Sequence, residues 1–206
     1  MVSHRIAIMV QLLDAKAVAL IITFGCLAII LNPSISGLGI PFPLLPLIIL
    51  QIWEIPIVAA FLLFGLKIGF SVAGINSVFL FAVYPGPSIT WYGLFALVSV
   101  SSMMLGVYLA RKLIFRNPSE RQDVSRIRVL TVSLGIGMLF RVFFMTCMWS
   151  SVLPLTYELV ILPRVLFAVL PAMAIANMIM AIYNFLSGYL IAALVSKNLR
   201  IGNRII

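Results

Sequence analysis

The charged residues of this 206-residue chain are segregated along the sequence, with long apolar stretches between them. The chain is 64% hydrophobic and only 9% charged, whereas soluble domains carry about 25% charged residues. A membrane-spanning helix needs about 20 apolar residues. Six stretches meet or approach that length: 11–31, 47–64, 68–83, 89–114, 129–153 and 172–195. The pattern predicts a single all-α membrane domain, 1–206, built as a compact bundle of six transmembrane helices.

Proline and glycine residues set the boundaries between these spans. Pro33 and the prolines that follow it end the first span, and Gly65 predicts a tight turn between the second and third. The last apolar run, 165–196, is too long for one crossing, because a helix rises about 1.5 Å per residue. We therefore predict that Pro171 breaks this run and that the sixth span begins at 172.

Basic residues fix the orientation of the six spans. Both termini then lie on one side, which holds twelve of the 14 basic residues: Arg5, Lys16, Lys67, Arg111, Lys112, Arg116, Arg121, Arg126, Arg128, Lys197, Arg200 and Arg204. By the positive-inside rule this side is cytoplasmic. The sequence thus predicts a multi-pass protein of the cell membrane with cytoplasmic N- and C-termini. Contact with anionic lipid explains the net charge of +9, so nucleic acid is not an expected partner.

Two charged residues fall deep inside predicted spans, away from the span ends, where a charge costs at least about 2.5–3.5 kcal/mol. Glu54 lies in the second span and Arg141 lies near the middle of the fifth. They could pair with each other in the bundle interior, or they could contact a ligand. The two roles are compatible, since a buried ion pair can also line a pocket.

Asparagine and tryptophan side chains supply the other candidate contacts. Asn76, Asn177 and Asn184 lie within spans, where asparagine either binds a neighbouring helix or contacts a ligand. Trp91 and Trp149 fall near the outer ends of spans, so they form an interfacial aromatic belt or stack on a ligand ring. The charge-free 32–46 loop is expected to fold over the bundle as a lid. These groups predict a substrate pocket in the outer half.

Catalytic and metal-binding motifs are absent from the sequence. The single histidine, His4, lies in the N-terminal tail, and neither Cys26 nor Cys147 has a histidine or metal-site partner at a suitable spacing. We therefore predict a protein that is not an enzyme and needs no metal or cofactor. Two alternatives stay open: an intramembrane enzyme that uses Arg141 and Cys147 on lipid or protein, and a membrane scaffold subunit without a ligand.

Three stretches of the sequence carry a resemblance to a known family. The first is Glu54–Gly69, with an acidic-Ile-Pro opening and a Gly-x-x-x-Gly turn. The second is Arg141–Thr146, followed by Leu153–Leu155, and the third is Ala176–Asn184, which contains two asparagines. Together they resemble the substrate-binding S components of energy-coupling factor (ECF) vitamin transporters, and the riboflavin-binding branch most of all.

The resemblance implies partners and a substrate class. It implies capture of a vitamin, docking of the span 1 face that carries Ala15 and Ala19 onto a membrane-embedded T subunit, and energy from two cytoplasmic ATPase subunits. The chain departs from the riboflavin-binding pattern at Met148, Trp149 and Met180, where those proteins carry asparagine or lysine. Thiamine, biotin and other cofactor precursors are therefore candidate substrates beside riboflavin.

Overall fold

Helices dominate the computed structural model, which describes residues 2–37, 39–42, 45–83, 91–114, 126–156 and 163–199. Its elements in chain order are α1 (Val2–Ile30), α2 (Pro33–Ser36), β1 (Pro41–Phe42), β2 (Leu45–Ile49), α3 (Glu54–Phe64), α4 (Leu66–Val83), α5 (Trp91–Ile114), α6 (Arg126–Thr156) and α7 (Pro163–Leu199). Leaving aside the single turn of α2, six helices form the bundle, as predicted. Four of the twelve basic residues on the predicted cytoplasmic side lie outside the described residues: Arg116, Arg121, Arg200 and Arg204.

Four of these helices are long and apolar enough to cross a membrane: Leu66–Val83, Trp91–Ile114, Ile127–Val152 and Leu170–Asn198. Two shorter apolar helices, Ala15–Ile30 and Glu54–Phe64, complete the set within the described residues. The chain is therefore a multi-pass membrane protein.

The second predicted span is wrong at its start. Instead of a helix from 47, residues Leu45–Ile49 form a strand that pairs antiparallel with Pro41–Phe42, and α3 begins only at Glu54. Proline disfavours the helical conformation in the residue before it, and β-branched residues such as Ile48 and Ile49 favour strands. The segment predicted to be a lid, 32–46, contains α2, β1 and the first two residues of β2.

Helix α3 is consequently short and lies at the centre of the bundle. Its 11 residues span about 17 Å at the usual rise, little more than half of an apolar bilayer core. All seven residues from Ile57 to Leu63 are buried, and α3 packs against α1, α4, α5 and α7. A helix that is apolar on every side needs such surroundings. Glu54, at its first turn, therefore lies deep in the bundle.

Gly65 makes the predicted tight turn between α3 and α4. Its φ of 95° is a left-handed conformation that glycine adopts without strain, and its N–H donates to the Phe61 carbonyl at 2.8 Å. The predicted break at Pro171, in contrast, is wrong, because α7 continues through this proline. A proline removes only one backbone donor, and membrane helices tolerate this where neighbouring groups satisfy the freed carbonyl.

Candidate functional site: a buried polar network

The Glu54 carboxylate lies in the first turn of α3, where the partial positive charge of the helix N-terminus favours an anion. Its side chain is fully buried. Ser99 of α5 donates its hydroxyl to Oε1 at 2.6 Å, and Asn184 of α7 donates its Nδ2 to Oε2 at 2.7 Å. Three helices therefore meet at this one carboxylate.

Arg141 on α6 neutralises the carboxylate through a two-point contact. Its Nη1 donates to Oε2 of Glu54 and its Nη2 to Oε1, the latter at 3.2 Å. Both side chains have no exposed surface. Charge-assisted, two-point pairs of this kind are the strongest hydrogen bonds in proteins and fix orientation as well as charge. The question that the sequence left open is thus answered in part: Glu54 and Arg141 pair with each other.

Two more oxygen acceptors contact the guanidinium, beside the Met180 sulfur at 3.8 Å from Nη2. Gln51, in the linker between β2 and α3, accepts from Nη2 through its Oε1 at 2.6 Å. Asn177 of α7 accepts from Nε through its Oδ1 at 3.4 Å, and its own Nδ2 donates to the Met173 carbonyl at 2.9 Å. The network thus connects four helices, α3, α5, α6 and α7, with the linker between β2 and α3.

The structure brings four of the predicted site residues into this network and leaves three outside it. Glu54, Arg141, Asn177 and Asn184 are connected by hydrogen bonds, whereas no hydrogen bond among the described residues joins Asn76, Trp91 or Trp149 to them. Sequence reasoning missed Ser99 and Gln51. Gln51 is a strong polar group in an otherwise apolar segment, which was a usable signal. Ser99 gave no such signal in the sequence, because serine in a membrane helix commonly bonds only to the backbone of its own helix.

The predicted residues outside the network occupy distinct positions. Asn76 of α4 is buried, and its Oδ1 has no hydrogen-bond partner among the described residues. Trp149 packs against Phe95, which joins α6 to α5 with ring centroids 4.4 Å apart. Trp91 is half-buried at the first residue of α5. Trp149 therefore has a protein partner for its ring.

Positions outside the bundle interior bear on the other predictions. Cys147 is exposed on α6 while Arg141 is buried, so the structure does not bring these two residues together as the enzyme alternative requires. Ala15 and Ala19 are both exposed on α1, one helical turn apart. This small-residue face is accessible to another helix.

Comparison with known proteins shows similarity of fold. No protein-family model and no curated protein matches the sequence. One solved structure, the S component of a bacterial ECF transporter, superposes with a TM-score of 0.70 at 18% sequence identity. The match covers 91% of this chain and 99% of the other. The six-helix bundle therefore shares its fold with that structure over nearly the whole length of both chains.

Proposed function

We propose that this chain is the substrate-capture subunit of an ECF-type transporter in the cell membrane, and that it binds a vitamin or related small metabolite, riboflavin-like in character. The observation that carries the proposal is the S-component fold over 91% of the chain. The buried network around Glu54 supports it, because polar groups are costly at membrane depth and commonly mark sites of function. The subunit binds its cargo without transforming it.

The proposed substrate site lies in the outer half of the bundle, between the N-terminal end of α3 and the hairpin. Because α3 begins only at Glu54, it does not extend into this half. Asn76, Asn177 and Asn184 would supply hydrogen bonds, while Trp91 and Trp149 would pack against a ring of the ligand. Glu54 and Arg141 would form the polar floor.

We also propose that both termini face the cytoplasm. Apart from the buried Arg141, the cations on α4 to α7 whose side chains are described number five, and each lies near a helix end: Lys67, Arg111, Lys112, Arg128 and Lys197. Lys67 begins α4, Arg111 and Lys112 end α5, Arg128 begins α6 and Lys197 ends α7. Successive helices alternate in direction, so all five belong to one end of the bundle. Positive charge flanking spans favours the cytoplasmic side.

Native mass spectrometry of the gently purified protein tests the substrate proposal. We expect an adduct of vitamin size that is lost at higher collision energy, and a submicromolar Kd for one member of a panel containing riboflavin, thiamine and biotin. A helical membrane protein that binds no small molecule, purified in the same way, is the control for nonspecific adducts. A clean apo mass, with no binding across a full vitamin panel, would contradict the proposal.

Assembly with a T subunit and two ATPase subunits is expected to depend on the Ala15 and Ala19 face. Ala15→Trp with Ala19→Trp should abolish copurification with these partners, because the bulky rings keep another helix from approaching closely. Val132→Trp, on the exposed face of α6, is the control and should assemble normally. Both variants should keep the wild-type unfolding temperature, since neither site is buried. Normal assembly of the double tryptophan variant would refute the assigned docking face.

A further inference from the structure

The charges of the buried network cancel, which restricts the cargo that it can accept. Glu54 is the one acidic side chain whose surroundings the structure describes, and Arg141 already neutralises it. The other described cations are exposed or half-buried and lie away from the interior. An ionised ligand at membrane depth would need an unpaired opposite charge. The site therefore suits an uncharged molecule.

Gln51 is the accessible edge of this network. The other groups that Arg141 contacts, Glu54, Asn177 and Met180, are all buried, whereas Gln51 is half-buried. Gln51 also lies in the linker that follows the hairpin, and its carbonyl accepts from the Glu54 N–H at 3.1 Å. The Nη2 of Arg141 is thus held on the hairpin side by an uncharged amide oxygen.

Asn184 adds a hydrogen-bond acceptor beside the same carboxylate. Its Nδ2 must face Oε2 of Glu54, because a carboxylate only accepts, so its Oδ1 points elsewhere. That Oδ1 is buried and has no partner among the described residues. Trp53, the neighbour of Glu54, likewise has a buried Nε1–H without a partner there. An unmet buried polar group costs about 1–3 kcal/mol, which a suitable ligand recovers.

We propose that, when cargo binds, an uncharged carbonyl oxygen of the cargo replaces Oε1 of Gln51 as the acceptor of the hydrogen bond from Arg141 Nη2. The ligand would bring a carbonyl oxygen to Nη2 and an adjacent N–H to Oδ1 of Asn184, as an amide or imide edge does. Displacement of Gln51 would break the side-chain hydrogen bond that ties the linker between the hairpin and α3 to Arg141. This inference rests on the proposed function and specifies the cargo chemistry of the same site.

The test is calorimetric titration of the full-length protein in lipid nanodiscs with riboflavin, which is uncharged and carries an imide edge. Gln51→Leu removes the competing acceptor, so riboflavin should bind about two- to tenfold more tightly, the range of one net hydrogen bond. Gln51→Glu strengthens the competitor by adding charge, so binding should weaken by at least about tenfold. Asn198→Leu, which removes an exposed amide at the end of α7, should leave the Kd unchanged.

The outcomes separate this inference from the proposed function. Wild-type binding of riboflavin with weaker binding by both Gln51 variants would overturn the inference alone, since Gln51 would then be a ligand contact. Binding of cationic thiamine or of anionic biotin in its place would also overturn the inference and leave the proposed function standing. Absence of binding by the wild-type protein to any member of the full vitamin panel would overturn both. Unfolding temperatures of the variants show that each is folded.

Discussion

Replacing Arg141 with methionine is expected to lower the free energy of unfolding by about 3–5 kcal/mol, the usual cost of removing one partner of a buried ion pair. Glu54 would keep Ser99 and Asn184 as donors but would lose its cation in a fully buried position. Unfolding in detergent micelles, followed by circular dichroism, measures the change. Lys112→Met removes an exposed cation from α5 and should change stability by less than about 0.5 kcal/mol.

A double-mutant cycle assigns this loss to the pair. Glu54→Gln combined with Arg141→Met removes both charges and should be more stable than Arg141→Met alone, because no unpaired charge is left buried. Losses that simply add would show that the two residues are not coupled. Exchange of the charges, Glu54→Arg with Arg141→Glu, addresses the scaffold alternative. Recovered stability with no binding defect would indicate that the pair has a structural role only.

Gly106→Ala is expected to destabilise the contact between α5 and α6 by about 1–3 kcal/mol, the usual cost of overpacking. A Cβ at Gly106 would lie 2.8 Å from the carbonyl oxygen of Ile136 and 2.9 Å from Cα of Gly137. Both are backbone atoms, so relief requires the two helices to separate. Arg141 lies one helical turn beyond Gly137, and separation would therefore also weaken its contacts in the network.

Gly135→Ala provides the matched comparison on the same helix. A Cβ there meets nothing within 4 Å, so only the intrinsic helix preference for alanine applies. That preference should raise stability by up to about 1 kcal/mol. The same unfolding measurement in micelles compares the two variants. Equal effects at Gly106 and Gly135 would contradict the close approach of α5 and α6.

The sequence was informative where composition and local chemistry decide the outcome. The apolar stretches predicted six helices, Gly65 predicted the turn, and the two charges inside spans predicted the centre of the network. The start of α3 was not predictable from hydrophobicity, because the apolar residues of β2 satisfy a strand as well as a helix. The break predicted at Pro171 was wrong because a membrane helix tolerates an internal proline that would break a helix in a soluble protein.

The contacts of Ser99 and Gln51 depend on how distant elements meet. Ser99 lies 45 positions and Gln51 90 positions from the partner it contacts. Only the relative rotation and depth of the packed helices bring these groups to hydrogen-bond distance. Glu54 and Arg141 were recognisable because a lone charge in an apolar span needs compensation, whereas an uncharged serine or glutamine places no such demand on its neighbours.

The short central helix has a mechanical consequence. One half of the bundle is filled along its axis by the buried side chains of Ile57 to Leu63, whereas beyond Glu54 the chain continues into the hairpin, and Gln51 in the linker between them contacts Arg141. Cargo held on the hairpin side of Glu54, as proposed, would therefore meet a closed apolar core and could not pass along the axis of the bundle.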